Sequence, residues 1–137
     1  MEEKPDKKKV AVIGSRTFKD KKRLFDILDK NLEKIEMIIS GGANGADSLG
    51  LLYAKERGVP CLIYYPRWYS LDGEYDRGAG FKRNFLIIRS CDVVLAFWDG
   101  ESKGTSHSLD LARQLDKKIK IFNFVPEKEE KEVKTVV

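Results

Sequence analysis

Met37-Ile38-Ile39-Ser40-Gly41-Gly42-Ala43-Asn44-Gly45-Ala46-Asp47 is a short apolar run that gives out into glycines and then into a helix. The same grammar recurs at Val10-Ala11-Val12-Ile13 before Gly14-Ser15-Arg16, and at Asp92 to Trp98 before Asp99-Gly100-Glu101-Ser102-Lys103-Gly104-Thr105. A continuous apolar run of this length reads as a strand buried on both faces, which is how parallel sheets bury their strands. In such a sheet the three glycine turns share one edge, the carboxyl end of the strands, where helix N-termini aim unpaired N–H groups into a common crevice.

Working outward, a first helix is expected from about Asp20, because Leu24, Ile27, Leu28, Asn31, Leu32 and Ile35 trace one face. A second carries Ala46, Leu49, Gly50, Tyr53 and Ala54, with Arg57-Gly58 and Pro60 as its stop. Cys61 to Tyr65 reads as a third strand. Pro66 to Gly80 has no period and carries Trp68, Tyr69, Tyr75 and three glycines, as a functional loop would. From Ala79 to Ser90 the apolar residues fall on two helical faces, Ala79/Leu86/Ile87 and Phe81/Phe85/Ile88, which suggests a helix covered on both sides and a homodimer through residues 79–90. A helix over Thr105–Leu115 and a strand over Lys118–Phe124 complete the alternation. The expected fold is a single Rossmann-like α/β domain over residues 10–125. Its mostly parallel five-stranded sheet has the order 3-2-1-4-5 with helices on both faces. Charged tails are expected at residues 1–9 and 126–137.

The chain has 137 residues, enough for one domain with a real core. Its net charge of +4 suits an anionic ligand or weak contact with single-stranded nucleic acid. Cys61 and Cys91 stand apart, without a CxxC pair, and are expected to be buried free thiols. Met1 to Lys9 is too charged for a signal peptide, and no apolar stretch approaches the roughly 20 residues of a spanning helix. A cytoplasmic protein without membrane contact is expected.

The chemistry falls on the turns. Gly41, Gly42 and Gly45, with Ser40 and Ala43, resemble a phosphate cradle, although the loop has neither the lysine of GxxxxGK[ST] nor a first-strand GxGxxG. Gly104 and Thr105 open a helix, where the Thr105 hydroxyl can cap it or donate to a phosphate. Gly14, Ser15 and Arg16 lie on the same edge, and Arg16 can clamp a phosphate. Arg83 and Asn84 sit oddly among apolar neighbours. Asp47 is in a first helical turn, where a carboxylate is favoured in any case. Asp99, with Gly100 and Ser102, can meet a ribose hydroxyl or make the turn, and Trp98 beside it can stack on a base. His107 is the only histidine and has no clustered partners, so no metal site is expected.

Taken in order, Val12-Ile13-Gly14-Ser15-Arg16-Thr17-Phe18, Ile39 to Asp47, Ala79-Gly80 with Arg83-Asn84, and Ala96 to Gly100 with Ser102, Gly104 and Thr105 resemble the YspA group of the SLOG superfamily. The resemblance covers about residues 10 to 124. It implies a Rossmann-like fold that binds a nucleotide or nucleotide-derived ligand at these loops, with AMP, ADP-ribose or an NAD-like molecule as candidates. Two related groups imply alternatives. Phosphoribohydrolases of the LOG type use the glutamate of PGGxGTxxE to cleave an N-glycosidic bond. Ser108 stands at that position here, which leaves Asp47 or Asp99 as substitutes. The DprA group, with GSR, SGxAxGxD and RN segments matching Arg16, Asp47, Arg83 and Asn84, implies single-stranded DNA binding.

Overall fold

The computed structural model describes residues 6–126. The tail expected from Pro126 onward, apart from Pro126 itself, lies outside the described residues, as do residues 1–5. Five parallel strands, β1 (Lys8–Gly14), β2 (Ile35–Ser40), β3 (Cys61–Ile63), β4 (Val93–Trp98) and β5 (Lys118–Asn123), form one sheet in the order β3-β2-β1-β4-β5. Four helices alternate with them: α1 (Lys21–Asp29), α2 (Ala46–Arg57), α3 (Ala79–Ser90) and α4 (Lys103–Gln114).

The strand runs explain the layering. Along β1, Val10 and Val12 belong to a core with Leu24, Phe25, Leu28, Tyr53 and Ala54 of α1 and α2. Ala11 and Ile13 face the opposite core with Ile87, Ile88, Leu109 and Ala112 of α3 and α4. Side chains alternate across a strand, so a run that is apolar at every position must be covered twice. β5 instead has no fully buried residue, with only Ile119 and Phe122 half-buried, as suits an edge strand.

Several expectations are corrected. The first helix ends at Asp29, Leu32 lies in a 3-10 turn over Leu32–Lys34, and Ile35 opens β2. The apolar spacing ran across this boundary because a buried strand foot continues the same face. β1 begins at Lys8, inside the expected tail, and Lys9 donates its N–H to Asp92 Oδ2 at 2.8 Å. β3 stops at Ile63, and Cys61, on that short edge strand, is exposed, whereas Cys91 is buried; both thiols are free. The long loop is ordered by an antiparallel bridge between Tyr69 and Tyr75, with Trp68 stacked on Tyr75 at 6.1 Å. On α3 only Ala79, Asn84, Ile87 and Ile88 are buried; Phe81, Phe85 and Leu86 are exposed in the single chain. α4 begins two residues before Thr105, with Ser102 as its N-cap, so Thr105 is not the cap.

Candidate functional site

The sheet order reverses between β1 and β4, and the turns after these two strands open a crevice at their carboxyl ends, as open α/β sheets do. A cavity of about 310 Å³ lies there. One wall is Gly14, Ser15 and Arg16 after β1, and another is Ser102 to Thr105 with Ser108 at the start of α4. Ala43 of the turn after β2, Asp47 in the first turn of α2, and Arg83, Asn84 and Ile87 of α3 close it.

Ser15 joins the first two walls. It is 1% exposed, donates its N–H to Phe97 O at 2.9 Å, and accepts the Asp99 N–H on its Oγ at 3.1 Å. Ser102 Oγ lies 2.9 Å from the same oxygen. Asp99 Oδ1 accepts the N–H groups of Glu101 at 2.9 Å and Ser102 at 2.8 Å. Although burial pushes the Asp99 carboxyl up, the hydrogen bonds from Glu101, Ser102 and Ser15 outweigh it and hold the carboxyl below its ordinary value. Asp99 therefore makes the turn.

The start of α4 is electrostatically unusual. It has no acidic residue in its first turn and no side-chain cap bond, yet it carries Lys103. A helix N-terminus bears partial positive charge, so a lysine there adds to the charge that an anion would neutralise. Gly104 and Thr105 follow, and the cavity reaches both.

The glycine loop after β2 is arranged differently from a phosphate cradle. Its Ala43 N–H donates to Asp47 Oδ2 at 3.3 Å, and its Gly42 N–H to Ser40 Oγ at 3.4 Å. Ser40 Oγ in turn donates to Asp47 O at 3.2 Å. Gly42 has φ +71°, and the space a Cβ would take is filled by Tyr65 Cε1 at 2.7 Å, so this glycine packs against β3 and its loop. Gly45 has φ +81°, and a Cβ there would strike the carbonyl oxygens of Ser15 and Arg16. Gly45 thus lets the first and second loops touch backbone to backbone.

Asp47 is 7% exposed. Burial pushes its carboxyl up to about 6, against the pull of the Ala43 and Gly41 amides and the charges of Arg83 and Arg16. Arg83 donates from Nη1 to Gly41 O at 2.7 Å and from Nε to Asn84 Oδ1 at 3.0 Å. Burial lowers the Arg83 guanidinium from its ordinary value; it remains a cation at neutral pH. Asn84 Nδ2 lies 3.4 Å from His107 Nδ1, and the His107 ring packs on Phe81 with centroids 4.4 Å apart. The odd polar pair on α3 is thereby explained: it latches the glycine loop and α4.

Of the residues singled out in sequence, the cavity gathers Gly14, Ser15, Arg16, Ala43, Asp47, Arg83, Asn84, Ser102, Gly104 and Thr105. Ser40, Gly41, Gly42, Gly45, Trp98, Asp99 and Gly100 are not among its lining. They shape the loops behind it, and Trp98 Nε1 donates to Ser102 O at 3.1 Å. Ile13, Ile87, Lys103 and Ser108 line the cavity without having been singled out as ligand-binding residues. Lys103 had a legible signal, a cation in a first helical turn, where helices prefer acids. Among the described residues no cluster of histidine, cysteine or acidic side chains could hold a metal ion. Nor is any described helix long and apolar enough to cross a membrane.

Comparison with known proteins matches this architecture. Two solved structures share the fold, each at less than 25% identity. DNA processing protein A from Helicobacter pylori, described for its single-stranded DNA binding mode, has TM-score 0.68 and 23% identity, over 82% of this chain and 64% of that one. DprA from Streptococcus pneumoniae has TM-score 0.70 and 18% identity, over 86% of this chain and 50% of that one. The chain thus spans less than two thirds of either DprA chain. Gene 61 protein of Mycobacterium phage D29 is 31% identical over 122 residues, 85% of this chain and 96% of that protein. The family model for YAcAr, the YspA, cpYpsA-related SLOG family, matches residues 8–70, from the first residue of β1 into the aromatic loop. With one relative matched along nearly its whole length and the family model running over the first two glycine turns, the chain belongs to the YspA, cpYpsA-related SLOG family.

Proposed function

We propose that the chain binds a small nucleotide or nucleotide-derived ligand, as a sensor or binding protein, in the cavity between the β1 and β4 turns. The observation that carries this is the start of α4: a first turn without an acid or a side-chain cap bond, with Lys103 on it and Arg16 lining the same cavity. That combination favours a phosphate. Ligand pockets run from about 300 to 1,000 Å³. At about 310 Å³ the cavity suits one nucleotide unit better than a dinucleotide.

The expected outcome is a rise in melting temperature with one member of a panel containing AMP, ADP-ribose and NAD. A ligand at about a hundred times its Kd adds about 2.7 kcal/mol to a native state that alone binds it. No shift across the panel at millimolar concentration would overturn this reading.

Nucleotide hydrolysis is not expected. Ser108 lines the cavity where the resemblance to the LOG type calls for glutamate, and Asp110 is exposed and pairs with Arg113 at 3.0 Å. Cleaving an N-glycosidic bond needs a placed acid or base, and with serine at the glutamate position wild-type protein should release no base from nucleoside monophosphates above background; turnover seen by chromatography and abolished by Asp47→Asn, the carboxylate lining the cavity, would overturn this.

A further inference from the structure

We propose that Asp47 selects the ligand: its carboxylate accepts a hydrogen bond from a sugar hydroxyl of a nucleoside phosphate whose phosphate rests at the start of α4. This rests on the nucleotide reading above and assigns the opposite end of the same cavity.

Among the described residues, Asp47 is the only carboxylate lining the cavity. Its Oδ2 faces the glycine loop and takes the Ala43 N–H at 3.3 Å, and the Gly41 amide also pulls on the carboxylate, which leaves room for a further donor from the cavity. A carboxylate has room for about four donors, so the Asp47 carboxylate keeps acceptor capacity towards the cavity it lines. The cavity therefore presents an open acceptor at this wall.

The identity of the group that meets it follows from charge. A phosphate is repelled by the carboxylate, and the loop amides that would have welcomed it are already turned to Asp47 and Ser40. A cationic ligand is opposed by Arg16, Arg83 and Lys103 around the same cavity. A neutral donor remains. In a nucleoside 5′-phosphate the sugar hydroxyls are such donors, and they lie a few bonds from the phosphate, within the span of a small cavity. Arg83 spends Nη1 on Gly41 O and Nε on Asn84 Oδ1 and makes no hydrogen bond to Asp47, on which it acts by charge alone.

The test is calorimetric titration of wild type, Asp47→Ala and Asp47→Asn with AMP and with 2′,3′-dideoxy-AMP, after circular dichroism has shown each variant folded. Wild type is expected to bind AMP at least tenfold more tightly than the dideoxy compound. In Asp47→Ala the two affinities converge to within about twofold, and Asp47→Asn, which keeps an acceptor for the Ala43 amide, falls between. Inorganic phosphate should bind the variants at least as well as wild type. Equal binding of the two nucleotides by wild type, or full discrimination retained by either folded variant, overturns the assignment of Asp47 while leaving the nucleotide reading intact. Failure of wild type to bind AMP and every other nucleotide of the panel overturns both.

Discussion

Asp47 is a carboxylate that the fold holds at a cost. Its ordinary value is 3.8 and burial moves it to about 6, so the native state binds the proton more tightly than the unfolded chain does. Its contribution to stability is full below pH 3.8 and is lost as pH rises through about 6. Replacing it with asparagine, which cannot ionise, should therefore stabilise the protein at pH 8 by about 3 kcal/mol. At pH 4 the gain should disappear, and thermal melts at the two pH values measure the difference. Gly45 makes a second residue-scale prediction. Gly45→Ala forces a methyl against the Ser15 and Arg16 carbonyls at a positive φ, and is expected to cost more than about 2 kcal/mol in urea unfolding. Gly104→Ala, with open space around its Cβ, should be neutral or stabilising by up to about 1 kcal/mol as a gain in helix propensity.

At the scale of elements, β1, β2 and β4 were legible because each is an apolar run closed by a glycine turn, and both faces of such runs must be covered. Helix ends were less so. Leu32 and Ile35 keep the apolar spacing of α1 after its hydrogen bonds have stopped, since the next strand buries the same face. The start of α4 was misplaced because Gly104-Thr105 looked like an opening pair, while the actual cap, Ser102, spends its hydroxyl on Ser15 and Asp99. The turn after β4 depends on that network. Asp99→Ala removes the acceptor for Glu101 N–H, Ser102 N–H and Ser102 Oγ, and is expected to cost about 1 to 3 kcal/mol. It should also weaken any nucleotide that binds wild type, since the wall it shapes is Ser102 to Thr105; denaturation and titration of the same variant check the two effects.

At the scale of the whole molecule, the site was half legible. Glycine turns at one sheet edge announced where the crevice is, but which loop faces it depends on where each amide points. In the β2 turn the amides point at the protein's own carboxylate, a fact of side-chain direction that spacing does not encode. The cations lining the cavity, Arg16, Arg83 and Lys103, limit how strongly a single-stranded polyanion can be held there. Each neutralised phosphate of a single strand contributes a slope of about −0.7 in log K against log salt. Weak oligonucleotide binding with a slope no steeper than about −2 is expected, and anisotropy titrations over a salt series measure it.

The bond from the Trp98 indole to the Ser102 carbonyl gives the protein an optical property. Ser102 is on the cavity wall, so a ligand settling at the start of α4 disturbs the carbonyl that polarises this indole. The second tryptophan, Trp68, is stacked on Tyr75 in the loop beyond β3 and would report on that loop instead. In a Trp68→Phe protein the tryptophan emission would come from Trp98 alone, and occupancy of the crevice could be followed in real time without any label.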